Sequence, residues 1–358
     1  MKKICVIGQL PPPIHGLSKA LDILVHSTVI KKKYLLEVID IKNNKKFIKN
    51  HKRIKDSNAD VYYFTISQST LGNVRDMIIL NTILKKNKKI IIHYHGGYYK
   101  CLFDKMSFLQ KYVNKKLLSQ IDALIVLSES LKEIFVDVIS PQKVRICENF
   151  VETSSLLNPV EFQQKINVID QKKKIEVLYL SNFIKTKGYY DLLNAVRYEK
   201  CGNVIYNFAG AFLDPKNKLE FENFIEENNL QDKVMYHGIV EGDKKKSLLY
   251  NSDIFVLPTY YPKEGQPISI IEAMGNGLGI VTTRHAGIPD IVSEKNGHVV
   301  NIKSPKEIQL AIDKFVGDRE LLKSISVNNR EVTLNKYKES DYIGRLDKIF
   351  DEVLNNAN

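Results

Sequence analysis

A chain of 358 residues is too long for one ordinary domain, so two domains of roughly 150–200 residues are expected. Its hydrophobic content of 44% suffices for packed cores and excludes wholesale disorder. The net charge of +12 is lopsided: residues 1–150 carry +14 and residues 151–358 carry −2. This fits either an anionic partner for the first half (acidic lipid, phosphate or nucleic acid) or plain solubilising lysine.

In chain order, KKICVIG reads as a short buried strand, and 36–41, 60–66, 88–95, 122–128 and 144–150 read as further strands. Helix-like stretches lie at 16–27, 73–86, 104–119 and 129–137. Continuous apolar strands separated by helices imply a parallel sheet covered on both faces. The polar, weakly periodic segment 151–174 reads as a link. The rhythm then restarts, with strands at 175–181, 203–210, 233–239, 253–258 and 279–283, a helix at 187–198, and a helical end from 304 onward. In its last part Ile343, Leu346, Ile349, Phe350, Val353 and Leu354 recur at helical spacing. Two doubly wound α/β domains in tandem is the reading, with a cleft between them, at the carboxyl ends of the strands, as the expected site.

Cys5, Cys101, Cys147 and Cys201 are far apart and form no CxxC, so neither a zinc site nor a disulfide framework is expected, and a reducing cytosol fits. The opening MKKICVIGQLPPP has too short an apolar run for a signal peptide, and no window approaches a membrane span.

The stretch KEGQPISIIEAM, 263–274, carries Glu264 and Glu272 with seven residues between them. Pro267 suits a helix start. A helix N-terminus there would offer free N–H groups to a phosphate, with one glutamate on each side to accept hydrogen bonds from sugar and ribose hydroxyls. Taken alone, Glu264 is equally a helix-start acid and Glu272 a solvent-facing one. The context adds more: DIFVLPT before, then GNGLGIVTT, HAGIPDIV and KNGHVV after. Together these resemble the signature region of the retaining GT-B glycosyltransferases of family 4, the glycosyl transferases group 1.

The resemblance implies a GT-B fold, two Rossmann-like doubly wound domains facing across a cleft. Residues 1–160 would form the acceptor domain and 172–335 the nucleotide-sugar donor domain, with 336–358 a helix packing back on the first. YLSNFIKTKGYYDLL resembles the family's phosphate-binding segment, so Lys187 and Gly188 would contact the donor diphosphate, while Asn182 stands where the family has an arginine. The match further implies that Gly16, opening the first helix, approaches the phosphate or sugar. His95, at the end of IIIHYH, would face the transferred sugar, with His93 deeper on the same side. Ile239 would meet the nucleobase through its backbone. Gly265, Gln266, Pro267 and Ile268 would line the donor beside Glu264 and Glu272. Asn149 would support the hinge, and Asp290 stands for the usual glutamate of GIPE. His15 has no strong claim.

The implied reaction is sugar transfer from a UDP- or GDP-linked donor with retention at the anomeric carbon. No carboxylate has a clear claim as nucleophile, so same-face attack is expected, with His95, Glu264 and Lys187 as the catalytic group. No DxD occurs, so metal independence and no cofactor are expected, the leaving diphosphate being neutralised by Lys187 and a helix N-terminus. The expected acceptor is a saccharide or a polyprenyl-linked one, reached from the cytoplasm at an anionic inner membrane surface. The basic segment 44–55 and the basic amphipathic helix 104–118 could touch that surface. Three alternatives remain: a sugar-nucleotide epimerase, a non-catalytic partner subunit, and, weakest, a dinucleotide oxidoreductase, since GQLPPPIHG does not fit GxGxxG. No stacking platform for nucleic acid is evident.

Overall fold

The structure is a computed structural model that describes residues 1–12, 16–200 and 202–355. His15, in the sequence PPPIHG, and Cys201 lie outside the described residues. By its internal contacts the chain divides into two units. The first is Met1–Asn149, Glu339–Asn358 and the four residues Lys263–Gln266; the second is Phe150–Pro262 and Pro267–Lys338.

The sheet of the first unit holds β1 (Lys2–Gly8), β2 (Tyr34–Asp40), β3 (Val61–Thr65), β4 (Lys89–His93), β5 (Ala123–Val126) and β6 (Val144–Ile146). All pair in parallel in the order β2-β1-β3-β4-β5-β6. All five residues of β3 are buried, as a strand covered on both faces requires. The helix Glu339–Asn355 completes this unit. Tyr342, Ile343, Leu346, Ile349, Phe350 and Val353 are buried on it, and Phe350 meets Tyr34 and Tyr63 edge-on. Lys33 pairs with Asp347 and Asp351, and Arg145 with Glu352.

In the second unit β7 (Ile175–Leu180), β8 (Val204–Ala209), β9 (Val234–Tyr236), β10 (Ile254–Leu257), β11 (Gly279–Thr283) and β12 (Gly297–Val300) form another all-parallel sheet. The order is β12-β11-β10-β7-β8-β9. Strand order reverses beside β1 in one sheet and beside β7 in the other. Each reversal opens a crevice at the strands' carboxyl ends, where doubly wound sheets take ligands.

Three readings need correction. The link 151–174 contains a helix, Pro159–Val168, whose Asn158–Glu161 capping box and N-terminal proline are strong start signals. Residues 129–137 are not an α-helix but turns around a 3₁₀ segment, Lys132–Phe135. The predicted 104–119 helix begins only at Phe108, capped by Ser107. Short helices at Thr28–Lys33, Phe47–Asp56 and Tyr99–Asp104 were not anticipated.

Candidate functional site

In the first unit the site begins at the end of β4. His93 is fully buried. Its Nδ1 lies 2.5 Å from the Tyr63 hydroxyl, and its ring centroid is 3.9 Å from that of His95. Burial, then the nearby His95 ring, hold the His93 pKa well below its usual range, so this imidazole is neutral. The adjoining Gly96 has no room for a side chain: a Cβ there would sit 2.1 Å from the Gln68 carboxamide.

Against this corner packs Lys263–Gln266. A Cβ on Gly265 would meet Leu127 at 3.0 Å and the Gly96 Cα at 3.2 Å, so two glycines bring two backbones together. Glu264 and Gln266 are both buried. Asn149 fixes the segment from the end of the sheet. Its backbone N–H donates to Gln266 Oε1 at 2.6 Å, and its Nδ2 donates to the Gln266 carbonyl at 2.7 Å. Gln266 Nε2, Ser128 Oγ and Gln68 Oε1 are buried with no hydrogen-bond partner among the described residues. Buried polar atoms in that state are costly and suit a polar ligand. Gly16 also belongs to this unit, as the first residue of the helix Gly16–His26.

In the second unit, the turn after β7 runs over Ser181–Gly188 into the helix Tyr189–Ala195. Gly188 adopts φ +81°, and a Cβ there would lie 2.4 Å from the Pro258 carbonyl oxygen. Only glycine fits where the β7 and β10 loops meet. Tyr260 donates its N–H to the Thr186 carbonyl, tying the loops again. The Lys187 ammonium stands 5.0 Å over the Tyr261 ring, and Tyr261 is held in turn by His285 at its carbonyl. Asn182 is exposed.

The helix Ile268–Gly275 starts immediately after Pro267. Glu272 is buried rather than solvent-facing, and its Oε1 accepts from Lys245 at 2.7 Å. At the other end two buried basic side chains donate to the helix C-terminus. Arg330 donates to the Gly275 carbonyl at 2.5 Å, and Lys165 donates to that of Asn276 at 2.9 Å. They complement the negative end of the dipole, leaving the positive end for an anion. Ile239 follows Gly238, which takes φ +67°, and is 69% exposed.

The predicted residues therefore form two groups. His95, Gly16, Glu264, Gly265 and Gln266 belong to the first unit. Asn182, Lys187, Gly188, Ile239, Pro267, Ile268 and Glu272 belong to the second. Sequence reasoning missed Gln68 and Ser128, whose buried, unpartnered oxygens leave no local signal, and Lys245, whose partner Glu272 lies on another helix. It also missed Asp191, in the first turn after Gly188, whose pKa burial pushes up to about 6. A half-buried acid there had no sequence signal.

Residues 160–332, a little under half of the chain, match the profile of the family described as glycosyl transferases group 1. The chain is 26% identical over 332 residues to a phosphatidylinositol N-acetylglucosaminyltransferase subunit of Arabidopsis thaliana, covering 83% of this chain and 71% of that one. It is 25% identical over 171 residues to the putative colanic acid biosynthesis glycosyltransferase WcaL of Salmonella typhimurium, 46% of this chain and 42% of that protein. Among solved structures it resembles Anabaena Alr3699/HepE, crystallised with UDP, at a TM-score of 0.78 and 15% identity over 98% of this chain and 100% of that one. The fold is GT-B. Fold and matched profile together support a glycosyltransferase of group 1, related to enzymes of polysaccharide biosynthesis. Among the described residues no helix is long and apolar enough to cross a membrane.

Proposed function

We propose that the protein is a retaining glycosyltransferase of family 4, taking a hexosyl group from a UDP- or GDP-linked donor to a lipid-linked saccharide. The reading rests above all on one observation: Gly265, between the buried Glu264 and Gln266, is seated against Gly96, the residue after His95. A buried carboxylate, a carboxamide and an imidazole at one strand end suit recognition of sugar hydroxyls. Lys187 and the N-terminus of Ile268–Gly275 neutralise the departing diphosphate without a metal ion. Glu272, already hydrogen-bonded by Lys245, accepts from the ribose. With no carboxylate suited to nucleophilic attack, the acceptor attacks from the leaving-group side, and a donor phosphate oxygen takes its proton.

The setting is bacterial surface polysaccharide synthesis, in the cytoplasm and peripherally at the inner membrane face. Two things support it: the relatives' names, which include a phosphatidylinositol and a colanic acid enzyme, and the +14 charge of residues 1–150. Asn182, uncharged where the resemblance calls for arginine, favours one second reading, a non-catalytic partner subunit.

The test is a panel of UDP-, GDP- and dTDP-sugars, scored by thermal shift in EDTA and then by slow donor hydrolysis. One donor should stabilise the chain, with the shift lost in Lys187→Ala and the hydrolysis lost in Glu264→Ala. A folded chain that responds to no donor would refute the transferase reading in favour of the partner subunit.

A further inference from the structure

Two cavities of the first unit share a wall. One, of about 760 Å³, lies along the helices Thr70–Leu84 and Phe108–Leu118, with Val74, Ile78, Leu109 and Tyr112 in its lining. The other, of about 600 Å³, is bounded by the same Val74 and Ile78 and extends to Gln9 and Ser67. Gln9 directly follows β1, and Ser67 follows β3 by two residues. The pair makes a trough from the carboxyl edge of the sheet to the outer face of two helices.

Its apolar character is not that of a covered core. Leu71, Val74 and Ile78 recur at helical spacing yet are 85%, 48% and 45% exposed. Phe108, Leu109 and Tyr112 are 88%, 70% and 54% exposed. A surface helix ordinarily turns such a stripe inward. A basic amphipathic helix over 104–118 would carry Met106, Leu109, Tyr112, Val113 and Leu117 on its apolar face. In the structure that face divides, with Met106 and Leu117 buried and Leu109 and Tyr112 left outside. From Leu71 to Ile78 the stripe covers about 10 Å of helix axis. Contiguous exposed apolar surface of this kind marks a binding site.

The charge around it is positive. Lys45, Lys46, Lys49 and Lys52 are exposed on the neighbouring segment, and Lys115 and Lys116 on the helix Phe108–Leu118, which carries no acid. Lys116 lines the larger cavity.

We propose that this trough holds the hydrocarbon chain of an anionic amphiphile, an alkyl or prenyl phosphate, with its polar head toward Gln9 and Ser67. The assignment rests on the transferase reading, in which that sheet edge receives the acceptor, and it names the acceptor as an amphiphile bound by its chain. Each buried methylene strengthens binding about fourfold.

Calorimetric titration of the full chain with hexyl phosphate, with decyl phosphate below its micellar concentration and with inorganic phosphate tests this. Decyl phosphate should bind at least about 30-fold more tightly than hexyl phosphate, and inorganic phosphate should give no measurable heat. Val74→Asp and Leu109→Asp, both at exposed positions, should each remove the chain-length dependence while leaving any donor thermal shift unchanged. Equal affinities for the two alkyl phosphates, or unchanged binding in both variants, would overturn the proposal. So would binding confined to phosphatidylglycerol vesicles, which would make the face a membrane contact only. Chain-length-dependent binding by a protein that answers to no donor would refute the transferase reading alone.

Discussion

Lys165 offers a direct test of the buried electrostatics. The side chain is 1% exposed, and its Nζ donates to the Leu249 carbonyl at 2.7 Å and the Asn276 carbonyl at 2.9 Å. An ammonium has three protons for these two acceptors, whereas a neutral amine has two. Burial accordingly pulls the pKa down to about 7. In the unfolded chain the group titrates near the ordinary lysine value of about 10.4. Between those limits the unfolded state binds the extra proton, so folding stability rises with pH, and well below pH 7 this contribution is constant. From pH 7 to 8.5 the gain is about 1.5 kcal/mol, the slope being half-developed at pH 7. Cys5 and Cys147, pushed up to about 12 by burial, act in the opposite direction only above about pH 8.5. Urea denaturation at pH 7.0, 7.5, 8.0 and 8.5 should show the rise in the wild type and its loss in Lys165→Met. The same slope in both proteins would refute the assignment of a neutral buried lysine.

Gly188→Ala forces an L residue into the left-handed region, at about 1–2 kcal/mol, and drives its Cβ into the Pro258 carbonyl. Calorimetry should show a melting temperature lower by at least several degrees, and donor stabilisation should weaken. A double-mutant cycle on Lys245 and Glu272, through Lys245→Met and Glu272→Gln, should give a coupling of about 1–3 kcal/mol in chemical denaturation, because the pair is largely buried; a value near zero would mean solvent screens it. Asn149→Ala removes the amide donor to the Gln266 carbonyl. It should cost about 1–3 kcal/mol of stability and slow donor hydrolysis at least tenfold, while the donor thermal shift persists. A shift lost together with the hydrolysis would assign Gln266 to donor binding instead.

The strands were legible because parallel sheets bury both faces, so Val61–Thr65 and Ile254–Leu257 stand out as unbroken apolar runs. The helices that escaped notice are polar or basic. Phe47–Asp56 buries only Asn50 and Ile54, too few positions to establish a period. At the site, turn glycines announced themselves, and Gly188 owes its place to a backbone conformation that other residues resist. What could not be read were partnerships across the chain. Asn149 reaches Gln266 over 117 residues, and Lys245 reaches Glu272 from another helix. Nor does any local pattern show that Lys263–Gln266 is counted with the first unit while its flanks belong to the second.

The helix Glu339–Asn355 has a bearing on how the protein is made. Its six buried side chains and its ion pairs to Lys33 and Arg145 belong to a unit whose other residues, apart from Lys263–Gln266, are all translated by Asn149. At about 5–20 residues per second, a ribosome needs on the order of 10–40 s to travel from one to the other. During that interval the nascent first unit has Tyr34, Tyr63 and Cys147 uncovered, while the second unit, contiguous but for those four residues, emerges complete. The half synthesised first is thus the half that finishes last. A circular permutant that begins at Glu339 should refold with less aggregation than the natural order.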